Sequence, residues 1–510
     1  MRNLILSIIM AATTIMAQAV SVECSSGLLS QLVTNKSITA LTVSGTMDAR
    51  DFVFIADSLR TLRTLDLSRA SITAHHSDKA LFLNEFDYPS QAIPSGSLAS
   101  MENLTTLRLP AEATTLGEAA LAGCTRLTSV TLPSTLTIVG AYAFAGCSAL
   151  QEVTLPAALA TLADGAFAQC VALKKVNFGN GAGNLAIGDR AFYGCSNLTA
   201  ISLPASTTSV GAEAFAATSL TTLQASSLSK WASMGDYAFA QTPLTHVELP
   251  TRLAQIGWGA FLYIKSLGSI SLPRQLGSLP PYALAGAEGL TRLELGQTGI
   301  DSIGERALYN ASQLATVTFP TTLTRVGSEA MGGNIGLQTI TSNANVVPEA
   351  GHDVWAGVNQ PAVTLKVPTS AMADYEAAPQ WREFTIEAGS ILGDVTGDGV
   401  VDVVDINAII NVLLGKNSAS EYKNPADITG DGEVDVTDVN AAINILLGRV
   451  MASGNNIVIQ APRPETISIV ADGGMRMQMK VRAGINVCPG LAPGHYTVSL
   501  CGRKHQVVIE

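Results

Sequence analysis

The 510-residue chain has only six histidines, and none stands where catalysis would need it. His75, His76, His246, His352, His495 and His505 are scattered, and neither a G-x-S-x-G elbow nor an H-E-x-x-H pair occurs, which removes the commonest hydrolase arrangements. Gly181-Ala182-Gly183 lacks the Lys-Ser/Thr of a phosphate loop. His75-His76 with Asp78 reads as a polar insertion loop rather than a metal site, because no further ligands accompany it. The residues show no enzyme. Charged residues are also sparse at 14%, and the net charge of -11 contains no basic stripe. Residues 391–450 carry -7, residues 451–510 carry +3 and the remainder -7. That distribution argues against a nucleic-acid partner. After the N-terminus no apolar run approaches the ~20 residues a membrane span requires.

What is present begins with an export signature. Arg2 precedes the apolar run Leu4 to Ile15 and then Ala17-Gln18-Ala19, the order of charged region, apolar region and small-residue cleavage site. The reading is a secretory signal over residues 1–19, cleaved after Ala19, with an uncleaved anchor as the alternative; Cys24 lacks the context of a lipid-attachment cysteine. Seven cysteines are an odd number for an exported chain, so at least one is unpaired or pairs outside the molecule.

From Leu104 the chain repeats itself. LTSVTLPSTLTIVGAYAFAGCSA from Leu127 and LQEVTLPAALATLADGAFAQCVA from Leu150 share L-x-x-V-x-L-P, then Leu, then x-x-A-F-x-x-C. Pro110, Pro133, Pro156, Pro204, Pro250, Pro273 and Pro320 mark single or double periods of 23 with small insertions. A fixed period of this length means stacked units, none of which buries its apolar face alone. In each, L-x-x-V-x-L predicts a short strand with its apolar residues inward, Pro stops it, and the Ala-Phe segment fills the opposite wall. The frame resembles the BspA-like leucine-rich repeats of bacterial surface proteins over residues 36–385, with an insertion at 75–94. Leu365-Lys366-Val367-Pro368 with Met372, Tyr375, Trp381 and Phe384 resembles that family's terminal cap, so the solenoid is assigned to residues 20–389.

Two features of the repeat bear on function. Cys124, Cys147, Cys170 and Cys195 share one repeat position; neighbours in such a column could reach disulfide range, but a ladder of buried free thiols is favoured because other repeats put Ala, Thr, Ile or Asn there. The outward strand positions, such as Thr105-Thr106-Arg108, Thr128-Ser129-Thr131 and Lys174-Lys175-Asn177, are Thr-rich. They form either a ligand surface or simply good exposed-strand residues. No aromatic is among them, which argues against sugar stacking there.

A different pattern occurs twice, 33 residues apart. Asp394, Thr396, Asp398, Val400, Asp402 and Asp405 occupy positions 1, 3, 5, 7, 9 and 12 of the first loop, and Asp427, Thr429, Asp431, Glu433, Asp435 and Asp438 those of the second, with Gly399 and Gly432 at position 6. Side-chain oxygens at 1, 3, 5, 9 and 12, a backbone carbonyl at 7 and a turn glycine are what Ca²⁺ takes, which predicts two bound ions. Each loop leads into an apolar helical spacing, Ile406, Ile409, Ile410, Leu413, Leu414 and Val439, Ala442, Ile443, Leu446, Leu447, closed by Gly415 and Gly448. A twinned loop-plus-helix over residues 391–450 resembles a type I dockerin. It departs from that pattern in the neutral Thr396 and Thr429. At the pair that follows position 9 it has Val403-Val404 and Val436-Thr437, so a particular cohesin partner is less supported than calcium.

The last sixty residues, 451–510, alternate short apolar runs with turn signals such as Asp472-Gly473-Gly474, predicting a small β-sandwich. Cys488 and Cys501 fall on neighbouring runs, with pairing left open. Ile485-Asn486-Val487, Gly490 to Tyr496 and Gly502-Arg503-Lys504 resemble the sorting domain of the Bacteroidetes type IX secretion pathway, against a plain structural sandwich. The expectation is therefore a leucine-rich-repeat solenoid with a β-strand plus irregular segment per turn, a small α calcium module and a β-sandwich. Secreted or held at the outer cell surface, it would bind a protein partner on the solenoid, in adhesion, or through a cohesin-bearing protein join a polysaccharide-degrading complex.

Overall fold

A computed structural model describes residues 18–509 apart from 180, 182, 390–392, 397–402, 419–421, 423–425, 429–433, 448, 454–455, 462–464, 472–475, 482–483, 489–493 and 501–502. The predicted signal lies almost wholly outside the described residues, as do Gly448 and Cys501. The chain groups into two compact units, Met1–Leu244 and Thr245–Glu510. Turns of about 23 residues, about 16 in all, make up a β-solenoid with few helices.

Most turns supply one strand to a parallel wall. In the first unit Ala19–Cys24, Ala40–Met47, Thr64–Ile72, Thr106–Arg108 and Ser129–Thr131 pair in parallel register. The alternation follows from the frame: Leu104, Leu107 and Leu127 are fully buried, while Thr128, Ser129 and Thr131 face solvent. The recurring bond of the wall runs from the residue after the frame's first Leu to its counterpart one turn earlier, as in Thr128 N–H to Thr105 O at 2.9 Å and Gln338 N–H to Ala315 O at 2.9 Å. It is missing, among the described residues, from Gln151 to Thr128, from Thr199 to Lys174 and from Thr291 to Gly268. There the wall divides into separate sheets, and Thr199–Leu203, which the frame predicts to be a strand, is in none of them.

A second wall was not anticipated from the sequence. Two- to four-residue strands at Ala92–Ile93, Thr115–Leu116, Ile138–Val139, Thr161–Leu162, Leu185–Ile187, Thr207–Val210 and Ser233–Met234 form a seven-stranded parallel ladder. All but Thr207–Val210 are two or three residues long, too short for a period-2 search, which needs at least four.

The Ala-Phe segment closes the turn by an irregular but periodic route. Alternate amides donate to the next turn: Tyr142 N–H to Asp164 O at 2.8 Å, Phe144 N–H to Ala166 O at 2.7 Å and Gly146 N–H to Ala168 O at 2.8 Å. Intervening amides close short turns within their own repeat, as Ala143 to Gly140 and Ala145 to Tyr142 do. The alternation requires left-handed backbone at two positions four residues apart in each turn, for example Tyr142 (φ 55°) and Gly146 (φ 71°), then Arg190 (φ 55°) and Gly194 (φ 69°). Each non-glycine residue held there costs on the order of 1 kcal/mol, offset by the ladder bonds. Inside the segment Phe144, Phe167, Phe192, Phe215 and Phe239 are fully buried. Their rings stack in one column, with centroids 4.8 to 5.6 Å apart.

The insertion at 75–94 forms a hairpin, His75–His76 against Asp87–Tyr88. His76 Nδ1 lies 2.6 Å from Asp87 Oδ1 in an exposed setting. In the second unit the repeat ends on an aromatic cluster: Trp381 packs edge-on to Trp355 at 5.3 Å and to Tyr375 at 5.5 Å. Trp381 Nε1–H donates to Pro348 O at 3.0 Å, and the last strand, Thr385–Gly389, pairs with Thr364–Pro368.

The residues after the calcium loops are helical, Val403–Leu413 and Val436–Leu447. Gly415, at φ 65°, ends the first: its N–H bonds Val412 O and the Lys416 N–H bonds Asn411 O, both at 2.9 Å. Ala408 and Ile409 are buried against Ala442, Val395 and Ile428. Leu413 and Leu414, expected inward, are instead exposed at 43% and 59%; the cluster reaches the half-buried Val412 and stops short of them. The C-terminal residues form two antiparallel sheets, with strand order Arg449–Ser453, Asn456–Ala461, Gly484–Cys488 and order Arg476–Val481, Glu465–Ala471, Gly494–Leu500, Arg503–Ile509. Ile457, Ile459, Ile467, Ile469, Tyr496, Val498, Val507 and Ile509 form the core of this β-sandwich.

Candidate functional site: the acidic loops and the strand wall

Of the twelve loop residues, Asp394, Thr396, Asp405, Asp427, Asp435 and Asp438 are described; Asp398, Val400, Asp402, Thr429, Asp431 and Glu433 lie outside the described residues. In the first loop the Thr396 amide and hydroxyl both donate to Asp405 Oδ1 at 3.0 Å, and the hydroxyl also approaches Asp394 Oδ1 at 3.4 Å. Positions 1, 3 and 12 therefore meet, although nine residues separate the last two. In the second loop Ile428 N–H donates to Asp438 Oδ1 and Asp435 N–H to Asp438 Oδ2, each at 2.8 Å. Asp435 Oδ1 in turn accepts the Thr437 amide and hydroxyl at 2.6 Å.

Asp435 and Asp438 thus cap the start of the following helix, the Asp435 carboxylate accepting the Thr437 amide and the Asp438 carboxylate the Asp435 amide, a use the ligand spacing alone did not disclose. The Thr437 side-chain bond holds the Asp435 carboxyl below its ordinary range. Among the described residues no three His, Cys, Asp or Glu side chains converge closely enough to hold a metal. The donor chemistry nonetheless fits calcium. Asp394 is 3% exposed and Asp405 and Asp438 are fully buried, and buried carboxylates call for cationic or hydrogen-bonded compensation. Carboxylate and hydroxyl oxygens are the hard donors that calcium takes.

On the first turn of each helix the residues after position 9 face solvent. Val403, Val404 and Val436 are 59%, 55% and 60% exposed. The pair is apolar in the first copy, Val403-Val404, and mixed in the second, Val436-Thr437.

On the strand wall several solvent-facing threonines bond the backbone of the preceding turn. Thr105 Oγ1–H donates to Arg63 O at 2.8 Å and Thr128 Oγ1–H to Thr105 O at 3.0 Å. These side chains serve the stack, which accounts for part of the threonine enrichment. His246 bridges Ser269 at 2.6 Å and Glu248 at 3.1 Å. Cys124, Cys147, Cys170 and Cys195 form the buried ladder of free thiols that the repeat position predicts. Each Sγ–H donates to a carbonyl of the preceding turn, such as Leu121 O from Cys147 at 3.3 Å and Phe144 O from Cys170 at 3.1 Å. Burial pushes Cys124 up to about 11 and Cys195 up to about 12. Cys488 is also a free thiol.

Residues 79–186, 183–231 and 232–349 match the BspA type leucine rich repeat region in six copies, and residues 392–447 match the dockerin type I domain. Both are non-catalytic protein-interaction modules, and dockerin type I domains bind calcium. No curated protein matches the chain. Among solved structures, a leucine-rich repeat protein from Bacteroides ovatus is 19% identical, covering 62% of this chain and 90% of that one with a TM-score of 0.41. A leucine rich cell surface protein from Faecalibacterium prausnitzii is 22% identical, covering 50% and 84% with a TM-score of 0.30. The pneumococcal vaccine antigen PcpA is 18% identical, covering 56% and 80% with a TM-score of 0.35. No helix among the described residues is long and apolar enough to cross a membrane. With its repeat matched across residues 79–349, the chain belongs to the BspA type leucine rich repeat family and carries a dockerin type I domain.

Proposed function

We propose that this is an exported, non-catalytic binding protein, in which the solenoid over residues 20–389 holds a protein on a host or neighbouring cell and the module at 391–450 supplies a second, calcium-dependent attachment. Two ions are assigned, one to Asp394, Thr396, Asp398, the Val400 carbonyl, Asp402 and Asp405, and the other to Asp427, Thr429, Asp431, the Glu433 carbonyl, Asp435 and Asp438. Calcium at such loops is structural: it fixes the helices rather than performing chemistry. Export by the type IX route, with residues 451–510 as the sorting domain, belongs to the same reading. So does placement outside the cell.

What supports a protein-binding role is the outward row of each strand, a regular polar surface on stacked turns, the kind of surface solenoids use for protein partners. The match of residues 392–447 to the dockerin type I domain favours a second reading, recruitment to a cohesin-bearing protein in a polysaccharide-degrading complex. The two are separated by binding the purified full chain to cells and to purified cohesins, each with calcium and with EGTA. Cell binding that survives EGTA supports adhesion. EGTA-sensitive capture of a cohesin supports the complex, and binding to neither sinks both.

A further inference from the structure

Within the first unit the strand wall lacks one strand. Thr199–Leu203 follows the same frame as its neighbours but belongs to no sheet. Among the described residues the only backbone hydrogen bond made by Thr199 to Leu203 is the one Thr199 O accepts from Thr221 N–H at 3.3 Å. On the facing side Lys175–Phe178 pairs only with Glu152–Leu155, so its second row of amides and carbonyls borders the opening. Two extra residues in this turn, a Cys170 to Cys195 spacing of 25 against the usual 23, accompany the break.

The opening is a cleft of about 720 Å³ lined by Lys174, Lys175, Asn177, Ile201, Ser202 and Leu203 among others. Phe178, Ile201 and Leu203 are only half-buried in it, whereas Val153 and Leu155 in the neighbouring turn are buried to 1% or less. Unpaired strand edges beside partly exposed core side chains are the two components of recognition by strand addition: main-chain bonds give affinity, and alternate side-chain sites give specificity. No carboxylate lines the cleft, while two lysines do. Lys175 is shared with Glu152 at 3.1 Å, and Lys174 makes no ion pair among the described residues.

We propose that this cleft receives an extended acidic segment of a partner protein, which restores the missing strand. Alternate apolar side chains of the segment cover Phe178, Ile201 and Leu203, and its acidic side chains face Lys174 and Lys175. The choice of a protein occupant rests on the solenoid being a protein-binding surface; the cleft itself stands on the strand break.

Two measurements on the full chain test it. In the first, hydrogen exchange without ligand, the amides of Ala200–Leu203 exchange fast while those of Thr106–Arg108 are protected. Equal protection would mean the wall is closed there and would end the proposal while leaving protein binding elsewhere intact. In the second, fluorescence anisotropy follows two labelled ten-residue peptides of alternating Val-Glu and alternating Val-Lys. Val-Glu binds saturably and more weakly as salt rises, Val-Lys does not, and K174E with K175E reverses the preference. Ser202→Pro, which removes one exposed donor without changing charge, weakens Val-Glu at least tenfold with unchanged circular dichroism. No Val-Glu binding, equal binding of both peptides, or binding indifferent to the charge reversal overturns the assignment.

Discussion

Replacing Phe192 by Ala probes the internal column on which successive turns rest. The ring is fully buried, nearly parallel to Phe167 (5.6 Å, 4°) and to Phe215 (5.2 Å, 9°). Truncating a buried Phe costs about 3–5 kcal/mol. Stacked pairs contribute about 0.5–1.5 kcal/mol each beyond area, so Phe192→Leu, which keeps most of the volume, is expected to cost about 1–3 kcal/mol. In a stack of near-neighbour units that loss is felt locally. The reporters are the amides on either side of the ring, Phe192 N–H bonded to Ala214 O at 2.8 Å and Phe167 N–H bonded to Ala191 O at 2.7 Å. Their native-state exchange should accelerate by about two to three and a half powers of ten in F192A, at about 1.4 kcal/mol per tenfold, and by about one to two in F192L. Val498 in the C-terminal sandwich should not change. Acceleration of less than about threefold at both reporters in F192A would refute the view that the column carries this energy.

Chelation of calcium should lower helical circular dichroism in the full chain, and Asp405→Asn with Asp438→Asn should weaken calcium binding by at least tenfold in a titration; dichroism indifferent to EGTA would remove the metal assignment. The cysteine column should resist iodoacetamide in the native state through pH 9, because burial lifts Cys124 to about 11 and Cys195 to about 12, and all four thiols should be alkylated once urea unfolds the chain. Asp48 caps the helix Ala49–Ser58 by a reciprocal box with Asp51. Its burial works to raise the carboxyl's pKa, but the Arg50 side-chain and amide bonds outweigh it and leave the pKa lowered. That stabilisation is present above the unfolded value of about 3.9 and is lost as pH falls through the folded one. Asp48→Ala should therefore cost about 1–2 kcal/mol at pH 7 in urea melts, and the difference should shrink below about pH 3.

The repeat was legible because a buried position in a stacked unit tolerates few residue types. Leu107, Leu127, Phe144 and Cys147 recur for that reason, and all four are fully buried. The second strand wall was not legible, since two-residue strands such as Thr115–Leu116 carry no period of their own. The left-handed columns were hidden in a different way. Glycine marks some of those positions, but Tyr142, Arg190 and Arg306 occupy others, and nothing in a tyrosine or arginine announces positive φ. In the acidic module the ligand spacing pointed to calcium, while the capping role of Asp435 and Asp438 emerged only from their bonds to backbone amides.

By itself the sequence determined the period, the inward face of the strands, the two helices after the acidic loops and the sandwich at the end. Each of these depends on local pattern: which residues can be buried, which oxygens can meet a cation, where glycine or proline stops an element. Tertiary structure alone decided where the wall opens. Thr199–Leu203 has the residues of a strand, and what it lacks is a hydrogen-bonded neighbour. Pairing is a property of two segments held in register by the rest of the stack, so no reading of one segment could have supplied it.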